Sequence, residues 1–488
     1  METIDIGITA NGAPVSLPIG LANRHGLILG ATGTGKTSSL QRLAEQFSAA
    51  GVPVFAADVK GDLSGIAAMG DASGAPAARA HALGRSFVPA RYPVAFWDIF
   101  GQHGLPIRTS VQAMGAQILS RMLGLNTTQE GAMAIAFRKS EDEHDYMLTL
   151  NDLRWTLNDM LEEREETCAR YGNVTASSIS AIQRNILALE AQGGDRLFGE
   201  PPFDILDMMR TDDAGRGVVN LLHADKLMEA PKLYATFLLW LLTELFRKLP
   251  EAGDLPKPKL VFFFDEAHLL FNDAPKPLVQ QIERLVRLVR SKGVGVFFVT
   301  QTPADVPDAV LAQLGSRVQH ALRAYTPAAQ RSIRAAADAL RPNPGVDVRT
   351  EITAMGIGEA LVSVIESDGV PSKVEKVKII PPAAQVGPIS DMERSTLIEG
   401  SPLYRKYRAD LEEEMAAYKF RRRMKEERGI DPGPDTGPVH YEPGIYLKYV
   451  PTIDIGADPV KRKLFVPLLR IFFWGSVAFG GAALAGWL

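Results

Sequence analysis

Apolar and polar residues alternate over residues 3–20, with Ile4, Ile6 and Ile8 answered by Val15 and Leu17 around Asn11-Gly12. That pattern predicts a β-hairpin. The period then changes. Leu27-Ile28-Leu29 is an unbroken apolar run, as expected of a strand covered on both faces, and Leu40, Leu43, Ala44 and Phe47 follow at helical spacing. Residues 52–57 and 94–98 read as two more strands, and the Ala- and Gly-rich residues 66–90 as a loop or short helices. Helical periodicity dominates residues 111–246, at 113–122, 132–137, 150–161, 179–189 and 233–246, broken by one strand at 217–222. Apolar runs at 259–264 and 294–301 enclose an amphipathic helix at 278–289 carrying Arg284 and Arg287 and leading to Arg290. A further strand is predicted at 318–325, preceded by Arg317 and holding Arg323. Residues 360–365 and 373–380 read as a hairpin across Ser367-Asp368-Gly369, and Pro381-Pro382 is expected to close the globular domain. Strands alternating with helices predict an α/β fold on a mostly parallel sheet.

Composition narrows this picture. The chain has 488 residues, 46% of them hydrophobic, enough for a large core and for two or three domains. A formal charge of -4 gives no global basic character, so any nucleic-acid contact would rest on a local patch. The single Cys168 excludes an internal disulfide framework. No basic stretch followed by an apolar run opens the chain, so no secretory signal is read there. His144 and His223 stand alone without metal-ligand spacing, and the Glu-Glu-Arg-Glu-Glu run at 162–166 reads as a solvated helix face.

The chemistry starts at Gly30-Ala31-Thr32-Gly33-Thr34-Gly35-Lys36-Thr37-Ser38, which fits G-x-x-x-x-G-K-[ST]. Glycines let the chain curl until successive backbone N–H groups converge on a phosphate. Lys36 supplies charge to the β- and γ-oxygens, Thr37 offers a hydroxyl to Mg²⁺, and the following helix turns its positive end to the anion. The run at 259–264 ends in Asp265-Glu266. At such a strand end Asp265 is placed to hold Mg²⁺, and Glu266 to orient and deprotonate water. Asp58 and Lys60, after the second buried strand, have two readings: neighbours of the γ-phosphate, or loop solvation and capping. Gln301, closing the run at 294–301, reads as a sensor of the γ-phosphate or as a plain strand-end turn before Pro303. His268 reads as a phosphate contact or as a structural histidine.

The phosphate loop, Asp58-Val59-Lys60-Gly61-Asp62, Asp265-Glu266-Ala267-His268, and Arg290-Ser-Lys-Gly-Val-Gly-Val before Thr300-Gln301-x-Pro303 follow one another in an order that resembles the HerA–FtsK superfamily of ring ATPases. The bacterial HerA-like helicase-domain branch is similar also around Tyr171-Gly172-Asn173-Val174, Gly193-Gly194-Asp195-Arg196 and Phe271-Asn272-Asp273-Ala274-Pro275, so the resemblance covers residues 3–382. It implies a RecA-like P-loop NTPase with ATP and Mg²⁺ as its ligands. It further implies assembly into a homo-oligomeric, hexameric ring with Arg290 reaching the neighbouring subunit's nucleotide; the other reading of Arg290 is a surface cation at a helix end, favourable to the dipole. The segment before the phosphate loop is too short for the barrel domain of full-length HerA proteins, so a nuclease partner is not implied.

The expected organisation is a hairpin and phosphate-loop half (1–104), a helical insertion (105–212), a second core half (213–385), a charged helix and Pro/Gly-rich linker (386–460) and an apolar C-terminal segment (461–488). Lys461-Arg462-Lys463 precedes that segment, and residues 471–488 carry no charge. It reads either as attachment to the inner face of a membrane or as a helix docked on protein. The expectation is a cytoplasmic, Mg-dependent ATPase motor acting on DNA. The alternative is a regulatory or membrane-tethered ATPase acting on a protein partner without DNA.

Overall fold

The computed structural model describes residues 2–253, 255–272, 276–323 and 326–407. Its strands are β1 (Thr3–Thr9), β2 (Pro14–Pro18), β3 (Gly26–Leu29), β4 (Val54–Asp58), β5 (Val94–Asp98), β6 (Leu105–Pro106), β7 (Val219–His223), β8 (Leu260–Phe264), β9 (Val294–Thr300), β10 (Ser316–Gln319), β11 (Glu359–Ser363) and β12 (Glu375–Ile379). They form one sheet in the order β2-β1-β12-β11-β10-β3-β9-β8-β4-β7-β5-β6. Every pairing from β10 to β6 is parallel, and every pairing from β2 to β10 is antiparallel. The fold is therefore the α/β architecture the alternation predicts, with the hairpins gathered at one edge.

Strand β8 shows why an unbroken apolar run belongs in the middle of such a sheet. Side chains alternate faces, so Leu260, Phe262 and Phe264 enter one core and Val261 and Phe263 the other, all fully buried. Each contributes about 2 kcal/mol of transfer free energy. Helix α1 (Lys36–Ala49) covers the second face through Leu40, Leu43 and Phe47. Helix α2 (Pro231–Lys248), apolar on nearly all sides, lies in the first core. There it packs with Thr127–Asp142, Leu150–Glu162 and Ala176–Ala191, whose starts are fixed by side-chain caps at Asn126, Thr149 and Thr175. The acidic run at 162–166 is not one continuous face. The helix breaks at Glu163, which joins Asp159 (3.0 Å) and Glu143 around the buried Lys139 ammonium at 3.1 Å.

Two boundaries differ from the pattern reading. The strand expected at 318–325 runs instead over Ser316–Gln319 and includes Arg317, while Arg323 lies beyond it. After Gln319 the backbone serves another purpose: the Ala321 carbonyl accepts from Ala31 N–H at 2.8 Å, and Leu322 N–H donates to Ile352. The chain also does not leave the body at Pro381-Pro382. Ala383 and Ala384 N–H groups donate to the fully buried Glu45 carboxylate at 2.7 and 3.1 Å. The chain then packs as far as Tyr407, whose ring meets Trp97 edge-on at 5.2 Å and whose hydroxyl accepts from Asp204 N–H. The rest of the charged segment and linker, from residue 408, and the apolar segment 461–488 lie outside the described residues. Among those described, no helix is long and apolar enough to cross a membrane.

If residues 383–407 are part of the core, Tyr407→Ala should cost about 3–5 kcal/mol, the range for deleting a buried aromatic ring. Urea denaturation of the full chain measures it, and a loss under 1 kcal/mol, within the range of ordinary surface changes, would show the segment to be peripheral.

Candidate active site

Strand β3 ends at Leu29 and the chain turns at once into a tight loop. Gly33 and Gly35 take φ values of 76° and 109°, conformations that side-chain-bearing residues rarely adopt. Gly30 is required for space as well: a methyl there would come within 2.6 Å of the His320 Cβ. Ala31 N–H is tied to Ala321, and Thr34, buried, closes the turn through its hydroxyl on the Ala31 carbonyl at 2.7 Å. Thr32 and Gly33 face solvent, while Thr37 and Ser38 are half-buried in the first turn of α1. Lys36 is buried and donates through Nζ to the Gly30 carbonyl at 2.6 Å and to that of Ala31 at 3.2 Å. The ammonium thus closes a ring with the loop's own backbone, in a cradle that a single Cβ would fill.

The parallel register brings the acids to this loop. β9 lies between β3 and β8, with Leu29 opposite Thr300 and Phe298 opposite Phe264, so the residues after all three strands share one edge. Asp265 and Glu266 follow β8 there, both buried. Burial, reinforced by the neighbouring Glu266 charge, raises the Asp265 carboxyl to about 6. Burial would raise Glu266 too, but the Lys60 ammonium outweighs it and holds this carboxyl below its usual value. Lys60 Nζ reaches Glu266 Oε1 at 2.6 Å, while Oε2 has, among the described residues, only loose neighbours, Gln301 Nε2 and His268 Nδ1, each at 3.4 Å. Glu266 has φ 48°, one of three non-glycine residues with positive φ among those described. Left-handed backbone at a carboxylate in a cleft is strain kept where the site over-determines it. Burial lowers the Lys36 ammonium, and the charges of Glu266 and Asp265 oppose that.

Lys36, Thr37, Asp265, Glu266 and Gln301 therefore meet at one sheet edge, joined by Lys60 and His268. Arg290 does not. It precedes β9 at the amino edge, where its charge acts on His25, the residue before β3. Seven residues of β9 separate that edge from Gln301, more than about 20 Å of extended chain. Asp58 is buried, accepts from Leu63 N–H at 3.2 Å, and is raised to about 7 by burial with the Asp265 charge adding to it.

Sequence reasoning missed His320. It is fully buried after β10, shares a hydrogen bond of 2.9 Å with Ser39 of α1, and lies 3.0 Å from the Glu359 carbonyl. Burial lowers its imidazole to about 4, so it stays neutral beside Lys36. It missed too the Lys60–Glu266 pair and the crossing of Gly358 over the loop, where Gly358 N–H donates to the Thr34 carbonyl at 3.0 Å. Partners hundreds of residues apart leave no local pattern.

The family model described as Helicase HerA-like C-terminal matches residues 4–430. Among solved structures, VirB4 of Thermoanaerobacter pseudethanolicus superposes with a TM-score of 0.50 at 16% identity, covering 77% of this chain and 96% of that one. The bacterial conjugative coupling protein TrwB without its first 70 residues gives 0.50 at 16%, covering 79% and 92%. TrwB in complex with a non-hydrolysable ATP analogue also gives 0.50 at 16%, covering 79% and 93%. At these identities the likeness concerns the fold. No curated protein sequence matches the chain.

An acid raised by burial binds a proton in the folded chain that it loses when unfolded. From about pH 4 to 7 Asp58 therefore makes stability fall as pH rises, the reverse of a salt-bridged acid. Asp58→Asn should flatten that fall in thermal melts from pH 4 to 8; an unchanged slope would place the buried proton elsewhere.

Proposed function

The chain belongs to the Helicase HerA-like C-terminal family, and on that premise we propose that it is an ATP-hydrolysing motor that works as a ring, coupling Mg-dependent turnover to movement along DNA. The observation that carries this reading is the convergence of Lys36, from the turn after β3, with Asp265 and Glu266, from the end of β8. A phosphate cradle without acids would only bind. Acids set beside it add a metal ligand and a base.

In this reading the N–H groups of residues 35–38, at the start of α1, and the Lys36 ammonium hold the β- and γ-phosphates, with Lys36 exchanging its loop carbonyls for phosphate oxygens. The Thr37 hydroxyl and the Asp265 carboxylate would hold Mg²⁺, which supplies charge neutralisation on the phosphates when bound. Glu266 uses its two oxygens differently. Lys60 fixes Oε1 and keeps the carboxylate ionised, so Oε2, between Gln301 and His268, takes the proton of the attacking water while Gln301 orients it. Arg290, separated from Gln301 by the length of β9, more than about 20 Å, serves the site of an adjacent subunit, which makes hydrolysis depend on assembly. The family description names a helicase, which favours DNA as the substrate. A net charge of -4 favours the second reading, an ATPase acting on a protein partner.

Lys36→Ala should abolish ATP binding. Glu266→Gln should bind ATP yet lose about 10²–10⁴-fold in kcat, and turnover at the wild-type rate would remove Glu266 as the base. Arg290→Ala should keep nucleotide affinity but lose the rise of specific activity with protein concentration. Lys60→Met lets burial raise the Glu266 carboxyl, so the acid limb of kcat against pH should move to higher pH; an unmoved limb would uncouple the pair from catalysis. Duplex DNA should stimulate turnover in a steeply salt-dependent way, whereas indifference to DNA would favour the protein partner.

A further inference from the structure

The sheet order gives the bound triphosphate a direction. The acids that define its γ-end lie past β9, after β8, to one side of the loop that follows β3. The nucleoside must leave the loop the other way, over β10 and β11. On that side the chain before β11 crosses the loop. Gly358 N–H donates to Thr34, and a methyl at Gly35 would lie 3.3 Å from the Gly358 Cα and N. Two side chains flank this crossing. Ile357, between the exposed Gly356 and the buried Gly358, is 68% exposed. Arg79, from the helix Ala75–Ala82, donates through Nη2 to the Ile357 and Gly358 carbonyls at 3.0 and 2.8 Å. Its Nη1 and Nε have no protein partner among the described residues, and no carboxylate pairs with it there. A guanidinium fixed at one end, with donors free at the other, is preorganised for a ligand.

We propose that Ile357 and Arg79 form the seat of the nucleoside: the isoleucine packs on one face of the base, and the free guanidinium donors reach polar atoms of the ribose or base. The inference rests on the ATP reading above. Gly358 is then required at φ 71° because a methyl would sit 2.3 Å from Arg79 Nη2. Bases are flat and apolar on their faces, which an exposed branched side chain suits.

The test uses the full-length protein with two probes, a non-hydrolysable ATP analogue with Mg²⁺ and inorganic tripolyphosphate with Mg²⁺, binding being measured by calorimetry. Ile357→Ser and Arg79→Gln should each weaken the ATP analogue about tenfold, the worth of one good contact, and leave tripolyphosphate unchanged. Arg79→Lys, which keeps the charge and one donor, should recover part of the loss. Unchanged affinity for the ATP analogue in both variants would overturn the seat. So would equal weakening of both probes, because the residues would then act by shaping the loop. Lys36→Ala separates this from the underlying reading: it must weaken both probes, and if it weakens neither, the phosphate site itself is misassigned.

Discussion

A lysine and three carboxyl groups are buried together where β3, β4 and β8 end, and none could be buried there alone. Removing a single charge from water costs several kcal/mol even after relaxation. The cluster answers this in three ways. Lys36 spends its donors on two loop carbonyls, Glu266 is matched by Lys60, and Asp58 and Asp265 are raised towards neutrality, to about 7 and 6. The arrangement suits a polyanion and a cation arriving together, since phosphates satisfy the lysine and a metal satisfies the raised acid.

Neutral groups are used where another charge would be ruinous. His320, fully buried beside Lys36, is held near 4 by burial and serves as a hydrogen-bonding strut between Ser39 and the backbone of β11. A charged imidazole would repel Lys36. The loop's shape thus depends on the antiparallel edge of the sheet as well as on its own glycines, through His320, Ala321 and Gly358.

The segment after Pro382 reaches the same region from the far side. Glu45 anchors its start, and Arg394, in the helix Asp391–Glu399, stacks over Phe96 at 5.1 Å, its charge acting on Asp58. Tyr407 then closes on Trp97. A stretch that reads as a charged appendage is held by buried side chains of α1 and β5, so its composition was a poor guide to its place.

The sequence by itself determined the elements and the chemistry that ride on local rules. A continuous apolar run reads as a doubly covered strand, as at 260–264, and the glycines of the phosphate loop let it curl, Gly33 and Gly35 taking φ of 76° and 109°, which other residues rarely adopt. The mostly parallel sheet followed from the alternation of strands and helices. What only the tertiary structure decided are relations between distant residues. Period-2 and period-3.6 patterns say which face of an element is buried and never which element covers it. Hence the end of β10 at Gln319, the Lys60–Glu266 pair and the left-handed backbone at Glu266 became visible only when strands far apart in the chain were laid side by side.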